Sequence, residues 1–172
     1  MGKEPGMATP TMELKDLSVL SQHLNTVTDE LNTALKDIES RLNALSLGVE
    51  AWVVKRPLNE EFHESGRDET GEPVRGRTAI ELGYARLSDG WALVIRSVWY
   101  GQELVQTSNS HWEWSDTGQQ SPYDSKPLLR ASRTLRAAAV DRIPDLVDAL
   151  HEAGSKMADA VEKARKISES LK

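Results

Sequence analysis

The sequence predicts an α+β protein in which long N- and C-terminal helices form an antiparallel helical hairpin or coiled coil, with a small antiparallel β-sheet inserted between them. Three observations carry that expectation. Apolar residues recur at heptad spacing towards both ends of the chain. Between them lies a stretch rich in β-branched and aromatic residues, interrupted by Asp89-Gly90. Finally, 172 residues with 38% hydrophobic and 28% charged side chains and a mean hydropathy of -0.51 suit one domain with a thin core and an elongated shape.

Residues 1–12 are expected to be a flexible N-terminal stretch. Residues 13–46 contain no Gly or Pro, and Leu17, Leu24, Leu31, Ile38 and Leu45 recur every seven positions. Leu20, Val27 and Ala34 occupy the offset positions, which gives the alternating three-and-four spacing of a helix-packing seam. Leu35 and Leu42 hint at a second apolar row. Gly48 is placed where a glycine stop is expected.

The β head is expected over residues 49–120. Val49–Lys55 reads as a strand ending before Pro57. Residues 57–78 hold three basic and six acidic side chains and read as a polar, acidic loop. Residues 79–87 and 91–100 then read as a hairpin around Asp89-Gly90, with Ser88 opposite Trp91. That pairing puts Ile80, Leu82, Tyr84, Leu93, Ile95 and Trp99 on the core face, and Glu81, Gly83, Ala85, Val94, Arg96 and Val98 on the other. Leu104–Gln106 and His111–Trp114 are candidate short edge strands.

Residues 125–172 are expected to be helical and to pack on the first helix. Pro144-Asp145 suits a helix start, because proline is preorganised in the first turn and an acid there meets the positive end of the helix dipole. From Ile143 a second seam runs through Leu146, Leu150, Ala153, Met157, Ala160, Ala164, Ile167 and Leu171. Its alanines would let a helix carrying bulky leucines approach closely. Leu150 and Met157 are thereby the C-terminal counterparts of the leucine row of the first helix.

The chemistry legible in the sequence is sparse. There is no phosphate-binding, dinucleotide, zinc-protease, nucleophile-elbow or calcium-loop motif. The absence of cysteine excludes disulfides and thiolate sites. His23, His63, His111 and His151 lie in separate segments, and only Glu60-Glu61-Phe62-His63-Glu64 approaches a ligand cluster. No metal and no cofactor is expected. The net charge of -6 argues against a general nucleic-acid binder. No apolar run is long enough for a membrane span and no secretory pattern opens the sequence, so a cytoplasmic protein is expected.

Two sets of residues are candidates for binding. Arg130, Arg133 and Arg136 are three residues apart on an expected helix, where guanidinium forks could converge on an anion or instead form a solvated face. His111, Trp112, Trp114 and Tyr123 place aromatics in a polar stretch, which suits partner recognition or the covering of one end of a small core. Together these features favour a non-enzymatic protein-interaction or assembly module, with coiled-coil-like helices and an aromatic-loop head that meets a protein partner or a second copy. The alternative is a sensor of a small anionic ligand or nucleotide, held between the arginine helix and the tryptophan loop.

Overall fold

The computed structural model describes residues 14–67, 73–106, 112–123 and 125–171. In chain order they form helix α1 (Leu14–Ala44), strands β1 (Ala51–Trp52), β2 (Asn59–Arg67), β3 (Pro73–Leu87), β4 (Gly90–Gln106), β5 (Trp112–Pro122) and β6 (Lys126–Pro127), a 3-10 turn (Leu128–Arg130), and helices α2 (Arg133–Val140) and α3 (Ile143–Ser170). This is the mixed helix and antiparallel sheet that the sequence predicts. The expected flexible stretch 1–12 lies outside the described residues.

The long β3–β4 hairpin is the spine of the sheet. On the outer side of β3, β1 pairs with Gly83 and Tyr84, and β2 pairs with residues 73–80. On the outer side of β4, β6 pairs with Val94 and Ile95, and β5 pairs with residues 98–106. The hairpin turn is Ser88-Asp89, because Leu87 faces Gly90 rather than Ser88 facing Trp91. Each strand is thus displaced one step from the predicted pairing. Side chains alternate with period two, so this combined shift of two leaves every residue on its predicted face. Gly90, at φ 125°, supplies a backbone conformation closed to other residues immediately after the turn.

The helices cover the predicted core face. Leu82, Tyr84, Leu93 and Ile95 pack with Leu35 and Leu42 of α1, Leu128, Ala139 of α2, and Leu146 and Leu150 of α3. Where no strand covers the start of β4, α1 does: the Glu39 carboxylate accepts from Leu93 N–H at 2.7 Å, and Asn43 donates to the Trp91 carbonyl at 3.1 Å. These contacts satisfy backbone groups that an edge strand would otherwise leave open. Asn43 also accepts from the Tyr84 hydroxyl, and Tyr84 stacks on Trp91 with ring centroids 5.4 Å apart.

Several element boundaries differ from the sequence reading. The strand expected over residues 49–55 narrows to Ala51–Trp52, although Val53 N–H still donates to the Leu82 carbonyl at 2.8 Å. Most of the expected acidic loop is strand, since residues 59–67 pair with residues 73–80; residues 68–72 lie outside the described residues. β5 is much longer than the expected edge strand and reaches Pro122. α1 ends before Gly48, with Ser46 in the left-handed region at φ 49°. α2 starts at Ser132, whose hydroxyl accepts from Leu135 N–H at 3.3 Å, and α3 starts at Ile143 with Pro144 in its first turn as predicted.

The antiparallel helical hairpin is not formed. Arg133 of α2 donates to Asn25 of α1, Arg136 donates to Asn32, and farther along Leu42 and Leu45 line one apolar groove with Val147 and Leu150 of α3. Glu39 meets Leu93 and Asn43 meets Trp91, so α1 runs antiparallel to β4. Asp145 meets Arg56 while Ala153, Met157 and Ala160 line a cleft with Gly48 and Val49, so α3 runs antiparallel to the β1 segment. Both helices therefore run parallel to β3 and in the same sense. The seam residues accordingly divide. Leu31, Ile38 and Leu150 pack on the sheet core, whereas Leu17, Leu24, Leu45 and Met157 are exposed. The sheet takes the Leu35–Leu42 row because those side chains, with Leu31 and Ile38, lie on the face of α1 turned to β4.

Two substitutions test this arrangement in urea unfolding. Leu35→Ala empties a fully buried core position and is expected to lower stability by about 2–5 kcal/mol. At a dilution that keeps the chain monomeric, Leu17→Ala on the exposed row is expected to change it by less than about 0.5 kcal/mol.

Candidate functional site

The second face of the sheet is also closed, and its own side chains close it. Alternation places Trp52 of β1, Glu60 and Phe62 of β2, Arg75, Arg77, Ala79, Glu81 and Gly83 of β3, Val94, Arg96, Val98 and Tyr100 of β4, and Trp114 of β5 on this side. Ala79, Val94 and Val98 are fully buried there, as is the Glu81 side chain.

Glu81 is held from two directions. Arg96, directly opposite on β4, pairs with one carboxylate oxygen at 2.9 Å, and the Tyr100 hydroxyl donates to the other. The array continues outward on both sides. The Arg96 guanidinium lies 4.0 Å from the centre of the Trp52 ring, and Trp52 in turn covers Gly83, where a Cβ would fall inside the indole. On the other side Arg77 lies 4.2 Å from the Tyr100 ring centre and pairs with Glu60. Arg75 stands between Phe62 at 4.9 Å and Trp114 at 5.5 Å. Guanidinium groups thus alternate with aromatic faces across the sheet, a favourable cation–π pattern that strengthens as water is excluded.

Burial, the hydrogen bond to Glu81 and the Glu81 charge together raise the Tyr100 phenol well above its ordinary range, with Arg77 and Arg96 opposing the shift. Burial and then the Glu39 charge raise Tyr84 as well. Glu81 is enclosed by these groups and has no exposure to solvent, so its carboxylate is placed for holding the two central strands in register. Proton exchange with a substrate requires an accessible acid, which this one is not.

The residues singled out from the sequence do not gather at one place. Arg133 and Arg136 reach α1 through Asn25 and Asn32, while Arg130 is exposed at the end of the 3-10 turn. Trp114 is half-buried beside Arg75 on β5, and Trp112 pairs in the backbone ladder with Gln106. Tyr123 is exposed, and its backbone N–H donates to the Ser97 carbonyl at 2.8 Å. His111 lies outside the described residues. Glu60 falls on one face of β2 and Glu61 and His63 on the other, so the acidic cluster is split by strand alternation. Among the described residues no group of three or more metal-ligating side chains is assembled.

The surface that stands out is helical. Beyond the sheet α1 keeps its apolar row exposed at Leu17, Leu20, Leu24 and Val27, each between 43% and 48% accessible. The α3 row does the same at Met157, Ile167 and Leu171, with Val161 exposed beside it, all 54% to 81% accessible. Among the described residues no helix is long and apolar enough to cross a membrane. Comparison with protein-family models, curated proteins and solved structures finds no match.

Two measurements test the array on the second face. Arg96→Met leaves the Glu81 carboxylate buried without its cation and is expected to lower stability by about 3–5 kcal/mol, most of it recovered on adding Glu81→Leu. A folded-state pKa raised above that of the unfolded chain makes stability complete below pH about 10 and progressively lost as pH rises above it. Urea unfolding should therefore weaken above pH about 10, and Tyr100→Phe should flatten that alkaline decline.

Proposed function

We propose that the protein is a non-enzymatic assembly module, in which the sheet and its covering helices form a rigid head and the free ends of α1 and α3 are helical arms that dock onto other helices. The observation that carries this reading is the apolar row that each arm leaves exposed beyond the sheet. Water-exposed leucines at heptad spacing are stabilised when a helix with matching spacing covers them. The head supports the same reading. Among the described residues its one fully buried acid, Glu81, is enclosed by an arginine and a tyrosine, and its arginine helix is turned towards α1. The anion-sensor alternative draws less support, since Arg133 and Arg136 meet asparagines of α1 rather than the tryptophan strand.

The double variant Leu20→Asp, Leu24→Asp tests the reading. At a dilution that keeps the chain monomeric, its urea unfolding should lie within about 0.5 kcal/mol of the wild type, because both side chains sit outside the hydrophobic core. In sedimentation at higher concentration its association should be abolished. A stability loss of several kcal/mol would make the row part of the chain's own core and overturn the reading. Association that survives unchanged would overturn it too.

A further inference from the structure

We infer that the helix covering each arm belongs to a second copy of this chain, in a closed two-fold dimer where the α1 arm of each copy packs antiparallel on the α3 arm of the other. This inference rests on the assembly reading above and specifies its partner. The first argument is directional. α1 and α3 run in the same sense, and the exposed part of α1 is its N-terminal half while that of α3 is its C-terminal half, so the arms leave opposite ends of the head. Within one chain they cannot meet. A two-fold axis perpendicular to the arms exchanges the two ends. It sets the α1 arm of one copy beside the α3 arm of the other with reversed chain direction, at both ends at once. Such an arrangement is closed and leaves neither row open, whereas simple head-to-tail repetition would leave an arm bare at each terminus of a growing filament.

The second argument is charge. With Leu17 and Leu24 as one core row of the free α1 arm and Leu20 and Val27 as the other, the flanking positions just before the first row are Asp16 and His23, continued towards the head by Glu30 and Asp37 beside Leu31 and Ile38, which pack on the sheet. On α3, with Met157, Ala164 and Leu171 as the equivalent row, those positions are Lys156, Lys163 and Ser170. Reversing one helix turns its flanking row to the same side as its partner's. Antiparallel α1 on α3 therefore sets acids against lysines. Antiparallel α1 on α1 sets Asp16 and Glu30 against each other, and α3 on α3 sets lysine against lysine. Lys156 meets Glu152 at 2.6 Å on its own exposed helix, a surface contact that exchanges cheaply. Third, the leucines of α1 face the small Ala160 and Ala164 of α3, which permits close approach.

The chain has no cysteine, so single thiols report pairing directly. Leu24→Cys and Ala160→Cys chains are mixed and treated with a bis-maleimide spanning about 10 Å, roughly one heptad of helix rise. The expected result is a covalent dimer in the mixture and none with either variant alone, together with a light-scattering mass twice the 19.1 kDa of one chain. Lys156→Glu with Lys163→Glu should weaken the dimer roughly tenfold, and adding Asp16→Lys with Glu30→Lys should restore it. Cross-linking between two Leu24→Cys chains, closure within one chain carrying both thiols, or a mass that keeps growing with concentration would overturn the closed dimer while leaving the rows as an association surface. A wild-type mass fixed at 19.1 kDa would also overturn it. Failure of the assembly reading itself is separate and shows as lost monomer stability, or as unchanged association, in the Leu20, Leu24 variant.

Discussion

The direction in which α1 runs relative to α2 and α3 governs the rest of the molecule. At 1.5 Å per residue α1 is about 46 Å long and α3 about 42 Å, and the sheet supports only part of each. Had they run in opposite senses, their free halves would lie side by side and cover one another. They run in the same sense, held by Arg133 on Asn25, Arg136 on Asn32 and the shared groove at Leu42 and Leu150. Each free half therefore extends by itself and carries its leucines or its methionine into water.

That outcome requires a head stiff enough to hold two long levers, and the sheet supplies it by closing both faces. One face is an ordinary apolar core roofed by helices. Among the described residues the other has no helix against it and relies on the linked series Trp52, Arg96, Glu81, Tyr100, Arg77 and Glu60. A carboxylate as buried as Glu81 would be costly alone. Between a guanidinium and a phenol, with aromatic rings stacked on the cations, its charge is compensated within the sheet plane. Gly83 admits the Trp52 ring, and a side chain at that position would lift the tryptophan off the strand and disturb Arg96 with it.

Much of the fold was legible because periodicity is a local property. The heptad rows located both long helices, Pro144 located the start of α3, and the alternation around Leu82 and Ile95 identified the core face even though the turn lay one residue away. The relative direction of the helices was not legible, since a three-and-four spacing is the same for parallel and antiparallel partners. The row that the sheet chooses was also ambiguous: Leu35 and Leu42 differ from Leu31 and Ile38 only in which neighbour they meet. β2 was hidden by its charges. Glu60 and Glu64 read as solvated loop, and only the facing Arg75 and Arg77, two residues apart, signalled a partner strand of opposite charge. The sequence placed Glu81 and Arg96 on one face of the hairpin, whereas their direct pairing depended on the observed register, and the complete burial of Glu81 on Tyr100 and Trp52 arriving from elsewhere in the sheet.

The most direct test of the opposed arms is a distance within one chain. Ser18 and Ser168 are exposed, one on each arm, and with both replaced by cysteine they accept spin labels in a protein that has no other thiol. Dipolar electron paramagnetic resonance on labelled chains diluted into an excess of unlabelled protein then reads only the intrachain separation. Arms leaving opposite ends of the head place the labels beyond about 40 Å, from the helix rise on each side of the sheet. A separation near the roughly 10 Å spacing of packed helices would mean that the arms fold together within one chain, and would contradict the account.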